Sequence, residues 1–250
     1  NLSNMWALVK KEWFIFFSTP LGYLSIGIFL TLSTLFLWFL DTDFNLINAG
    51  FADLNPFFIL APWFFILLVP AISIRSFTDE IRLGTLELLL TKPLSLWEII
   101  IGKYLANLML LLTALLPTVV YFFAINALKL GENAIDWGSA ITAYWGLFCV
   151  GSSFVTLGIL SALLTKNQAT AFIMALLLCF IQYYLWKGIA DLMQEQSLYR
   201  FFNAVGIFDH YLNLSQGVIA LKDMVYFISF NYIVLYVSKW RLYKIKNNEA

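Results

Sequence analysis

Long apolar runs separated by short polar stretches set the pattern of this chain. Leu21–Leu40 is an uncharged run of about 20 residues, long enough at 1.5 Å per residue to cross about 30 Å of hydrocarbon. Further runs predict spans at about 57–75, 104–127, 138–164, 168–187 and 224–240. Pro62 and Pro70 predict kinks in the second span, and Pro117 interrupts the third. The fourth is rich in small residues, and Gly158 and Ala162 lie one helical turn apart, a spacing that lets two helices approach closely. Residues 1–20 place Trp6, Val9, Trp13, Phe16 and Phe17 toward one side of a helix and Asn4 and Lys11 opposite, which predicts an interfacial helix entering the membrane at Pro20. Residues 188–223 are too polar to span and too apolar to be disordered, so short helices dipping into the outer leaflet are expected there. Asp41, Asp43 and Asp53 predict one acidic loop; Glu132 and Asp136 mark another. The expected fold is an all-α polytopic membrane protein: one domain over 1–250, six spans, no signal peptide.

The longest polar interruption on the side that the charge count below makes cytoplasmic runs from Arg75 to Lys103. Taken as a helix from Phe77, its residues Phe77, Ile81, Gly84 and Leu88 share one stripe, with Glu80 and Glu87 beside it. Gly84 costs about 1 kcal/mol in a helix interior, which predicts a bend or two short helices. Pro93 ends the segment; Ser95 and Glu98 form a capping box, with Leu94 and Ile99 as its staple. Such a connector suits either a docked partner or the lipid headgroups.

Charge gives an orientation. An even number of spans puts both termini on one side, together with Lys10, Lys11, Arg75, Arg82, Lys92, Lys103, Lys166, Lys239, Arg241, Lys244 and Lys246, or 11 of the 15 basic residues. Lys129, Lys187, Arg200 and Lys222 fall opposite. Positive-inside asymmetry makes the termini and the connector cytoplasmic. The apolar share of 61% against 12% charged residues exceeds what a soluble domain can solvate. The zero net charge implies no attraction to nucleic acid.

The residues Arg75, Glu80-Ile-Arg82-Leu-Gly84-Thr85-Leu-Glu87-Leu-Leu-Leu-Thr-Lys-Pro93, Trp97-Glu98-Ile and Gly102-Lys103 resemble the first cytoplasmic loop of ABC-2 type transporter permeases. The close match covers some thirty residues, about 75–103. The segments Gly206-Ile-Phe-Asp209-His-Tyr and Gly217-Val-Ile-Ala-Leu-Lys-Asp223 look most similar to the permease of the gliding-motility ABC system of Bacteroidetes. The resemblance implies that Phe77, Glu80, Ile81, Arg82, Gly84, Thr85, Glu87 and Leu88 form a coupling helix touching a separate ATPase subunit. It further implies a second transmembrane subunit, a second copy or a permease with an extracytoplasmic domain. ATP and magnesium would sit on the ATPase and no cofactor on this chain; the location would be a bacterial inner membrane.

Candidate chemistry within the chain is sparse. Gly102-Lys103 is no phosphate loop, because Trp97 stands where its first glycine belongs and Tyr104 replaces the Ser or Thr. Cys149 and Cys179 lie in apolar runs without metal spacing. The single histidine, His210, suits an interfacial position or a proton switch, but no metal pair. Asn107, Asn126, Gln182 and Asn231 either line a path or join helices. A membrane enzyme acting on lipid or peptide is the alternative function, with Glu80 and Glu87 its only carboxylate pair.

Overall fold

Prolines, glycines and caps divide the apolar runs into thirteen α-helices among the described residues, with no strand there. The computed structural model describes residues 2–47, 54–128 and 137–247. The expected loop residues Asp53, Lys129, Glu132 and Asp136 fall outside these residues. Helix α1 is Leu2–Phe17; α2, Pro20–Thr34, continues through a π-helical turn, Leu35–Phe39. Helix α3, Asn55–Ser73, keeps both prolines inside and runs almost directly into α4, Arg75–Arg82. Helix α5 is Leu86–Leu90. Helix α6, Leu96–Leu115, meets a 3-10 turn at Pro117 and resumes as α7, Val119–Leu128. Helix α8 is Trp137–Leu164, followed by α9, Gln168–Phe180, a π turn, and α10, Trp186–Asp191. Two short helices, α11 (Gln196–Val205) and α12 (Ile207–Ser215), precede α13, Leu221–Lys246.

Among the described residues, five segments are long and apolar enough to cross a membrane: Gly22–Phe39, Asn55–Arg82, Leu96–Ala127, Trp137–Leu164 and Gln168–Asp191. The stretch expected as the sixth span lies within α13. At 26 residues it is long enough, but it is more polar than the five, carrying Asp223, Asn231, Lys239 and Arg241. The third segment begins at Leu96, earlier than expected, and so encloses Lys103.

Helix α8 is the centre, with α3, α6, α9, α12 and α13 packed around it. Its small residues allow this. A methyl built on Gly158 would sit 1.8 Å from Ser73 Oγ, so α3 and α8 approach there to backbone distance. Helix α12 is fastened to the same centre: Tyr211 donates its hydroxyl proton to Phe58 O at 2.5 Å, and burial pushes that hydroxyl's pKa up, keeping it a donor. Helix α12 ends on Gly217 at φ 85°, where Gly217 N bonds Leu214 O and Val218 N bonds Asn213 O.

Helix α1 differs from its expected amphipathic face. Leu8, Val9 and Phe16 are buried, while Trp6 is half exposed. The face is set by packing on α6, where Gly102 leaves room for the Leu8 side chain.

Candidate functional site

The connector between α3 and α6 breaks at Gly84, as two short helices. Gly84 adopts φ 69°, in the left-handed region. Thr85 N bonds Glu80 O at 2.9 Å and Gly84 N bonds Ile81 O at 3.3 Å. This paired closure satisfies the last carbonyls of α4 and reverses the chain. It also resets the helical phase, so the expected stripe through Phe77, Ile81, Gly84 and Leu88 does not form. Phe77 is fully buried, Ile81 is half-buried, and Leu88 is 66% exposed. Leu83, on the other side of the bend, is 68% exposed. Arg82, Thr85 and Glu87 are exposed with them, whereas Leu86 and Leu89 turn inward. Nothing lies within 4 Å of a methyl built on Gly84, so its surroundings are open and only its backbone demands glycine.

Glu80 and Glu87, expected side by side, are separated. Glu87 points outward. Glu80 turns inward to the ammonium group of Lys103, 2.9 Å from Oε2, and of Lys11, 3.2 Å from Oε1. Lys103 is wholly buried; it donates to Glu12 Oε1 at 2.9 Å and to Ser76 O, and stands 4.7 Å over the Phe77 ring. Asn107, one turn further along α6, donates to Ser76 Oγ at 2.7 Å. Two lysines therefore face two glutamates. A buried cation is tolerated only when paired and hydrogen-bonded in this way, and removing one partner typically costs about 3–5 kcal/mol. The cluster ties α1, α4 and α6 together. Glu12 was not singled out by sequence; a lysine enclosed by an apolar run was the available sign that a carboxylate must come to it from another element.

Both ends of the connector are fixed as well. Arg75 Nη1 donates to Thr19 Oγ1 at 2.9 Å, joining α4 to the turn between α1 and α2. At the exit the predicted capping box is present: Glu98 N donates to Ser95 Oγ at 3.2 Å and Ser95 N to Glu98 Oε2 at 2.7 Å. Trp97 stacks on Tyr232 of α13, and Lys239 lies 5.0 Å over its ring. The arrangement is a rigid base with an exposed tip of two leucines, an arginine and a glutamate.

Three of the four predicted polar span residues join helices. Asn107 bonds α4, Asn231 Nδ2 bonds Ser152 Oγ at 3.0 Å, and Gln182 Nε2 bonds Val205 O and Tyr226 Oη. His210 stacks on Tyr226 and binds Asp223 Oδ1 at 2.6 Å; Asn213 donates to Oδ2 at 2.9 Å. Asp223 is fully buried, so the segments containing His210 and Asp223 form one clasp between α12 and α13. Among the described residues no cluster of His, Cys, Asp and Glu could hold a metal ion.

A family model described as ABC-2 family transporter protein matches residues 40–242. No curated protein matches the chain significantly.

Proposed function

The chain belongs to the ABC-2 transporter family, whose members are multi-pass membrane subunits of ABC transporters, and from that premise we propose that it couples ATP hydrolysis by a separate ATPase subunit to movement of its own spans. The observation that carries this reading is the connector tip. Leu83 and Leu88 are exposed to 68% and 66% around a left-handed Gly84, on a base locked by the buried Lys103 cluster. Exposed leucines on a well-anchored bend suit docking, and an anchored base carries force without folding back. Arg82, Thr85 and Glu87 form the polar rim of the contact. Phe77, Glu80 and Ile81 then act from within, holding the tip in place. ATP and magnesium belong to the partner ATPase.

In this reading α13 is the sixth span, both termini lie in the cytoplasm of a bacterial inner membrane, and a second transmembrane subunit completes the transporter. Impermeant thiol reagents should label Asp43→Cys and Glu195→Cys from outside, but not Asn167→Cys. Gliding motility, by force transmission or export, is the specific process we assign. It rests on the resemblance in Gly206–Tyr211 and Gly217–Asp223, segments that meet in the His210–Asp223 clasp. The coupling role is tested by cross-linking Leu88→Cys to cysteines introduced on the ATPase surface. Bonds forming at Leu88→Cys but not at Trp6→Cys, also exposed, support it; equal cross-linking at both overturns it. An enzyme acting through Glu80 and Glu87 loses its basis, because the two carboxylates point apart and lysines neutralise Glu80.

A further inference from the structure

The geometry points to a binding site for the anionic headgroup of a phospholipid, in the groove between the connector, the turn joining α8 to α9, and the end of α13. The groove has a volume of about 810 Å³. Its floor is apolar, with Leu86 and Leu163 buried beneath it and Ile245 half-buried. Its rim carries Lys166, Arg241 and Lys246 against one carboxylate, Glu87. Among the described residues none of these three cations has a carboxylate within ion-pair distance. Arg241 uses Nε to reach Leu163 O at 3.4 Å, which holds its guanidinium at the groove wall. Three cations over a leucine floor complement a phosphate attached to acyl chains.

The level of the groove selects lipid over a soluble partner. Trp240 and Tyr243, on either side of Arg241, are about half exposed, and Lys244 stacks 3.9 Å over the Trp240 ring. Exposed Trp and Tyr with flanking lysines mark the headgroup layer of a membrane, and Arg241 and Ile245 lie within one helical turn of them. Basic pockets between membrane helices at this depth take anionic headgroups, and each Lys or Arg near the surface strengthens binding about fivefold. The inference needs only that the chain is a membrane protein, so it stands or falls separately from coupling to an ATPase.

The test uses the full chain in neutral detergent, titrated with dioleoyl phosphatidylglycerol and followed by native mass spectrometry and by the thermal unfolding midpoint. Lys166 and Lys246 are exposed, so Lys166→Gln/Lys246→Gln should keep the lipid-free midpoint while binding weakens about thirtyfold. Glu87→Gln should tighten binding about fivefold, an effect that loss of folding cannot mimic. Phosphatidylcholine and glycerol 3-phosphate should bind neither the wild type nor the variants. Equal phosphatidylglycerol affinity in wild type and both variants overturns the site. So does comparable binding of glycerol 3-phosphate, which would make it a free-phosphate site. Capture of the ATPase lost in the lysine variant with lipid affinity intact would assign the groove to that protein instead.

Discussion

Glu80 Oε2 and Lys103 Nζ lie 2.9 Å apart inside the protein, and this pair decides which side of the connector faces outward. It ties α4 to α6 through side chains, while Leu83 and Leu88 stay exposed around Gly84. The two glutamates of the connector therefore differ in kind. Glu80→Lys should set three ammonium groups against Glu12 alone, and should cost about 3–5 kcal/mol or more, as for a broken buried pair. Glu87→Lys should leave stability within about 0.5 kcal/mol, as for other exposed positions. Unfolding midpoints in one detergent, measured beside ATPase capture, check this. Both glutamate variants should lose capture, but only the Glu80 variant should melt early.

Gly84 is required for its backbone. At φ 69° a β-carbon costs about 1–2 kcal/mol, so Gly84→Ala should lower stability by that amount. Gly84→Asn should recover part of it, since asparagine enters the left-handed region more readily. Because the surroundings are open, Gly84→Leu should cost no more than Gly84→Ala. A leucine variant much worse than the alanine one would show crowding instead. Chemical unfolding of the three variants discriminates these outcomes.

Five candidate spans were legible in the sequence because hydrocarbon demands long apolar runs, whereas the sixth expected span lies in the more polar α13; the capping box was legible because it is local. The break at Gly84 followed from glycine's helix propensity. The facing of the connector did not follow, since a periodicity argument assumes one continuous helix and the left-handed residue resets its phase. Glu12 and Lys103 come from elements far apart in sequence, so nothing local pairs them. Placing Lys103 at a span boundary gave it water for a partner, whereas inside α6 it needs carboxylates. The Asp223 clasp was hidden for the same reason: its partners His210 and Asn213 sit on another helix.

The contact of α3 with α8 depends on the absent side chain of Gly158. Gly158→Ala should destabilise by about 1–3 kcal/mol, the usual range for overpacking, because its methyl would meet Ser73 Oγ at 1.8 Å and Cβ at 2.8 Å. Adding Ser73→Ala removes the oxygen and should restore part of the loss. A double variant no better than the single one would contradict the assigned clash.

Asp223→Ala should free His210 and Asn213 together. Hydrogen bonds to a buried carboxylate are worth about 1.5–3 kcal/mol each, so α12 should loosen from α13. Hydrogen exchange should rise in 207–215 while α8 stays protected. Unchanged exchange over those residues would show that Tyr211 and packing alone hold α12.

The central claim is that the tip around Gly84 is where the ATPase docks. The direct measurement is the affinity of purified ATPase subunit for the chain carrying Leu83→Ser/Leu88→Ser, with permease-stimulated ATP hydrolysis read in the same samples. Both leucines are exposed, so the variant should fold and melt like the wild type. Fully burying a leucine side chain is worth about 1.5–3 kcal/mol, so affinity should fall at least tenfold and stimulation should fall with it. Wild-type affinity and stimulation in a normally folded variant would contradict the claim.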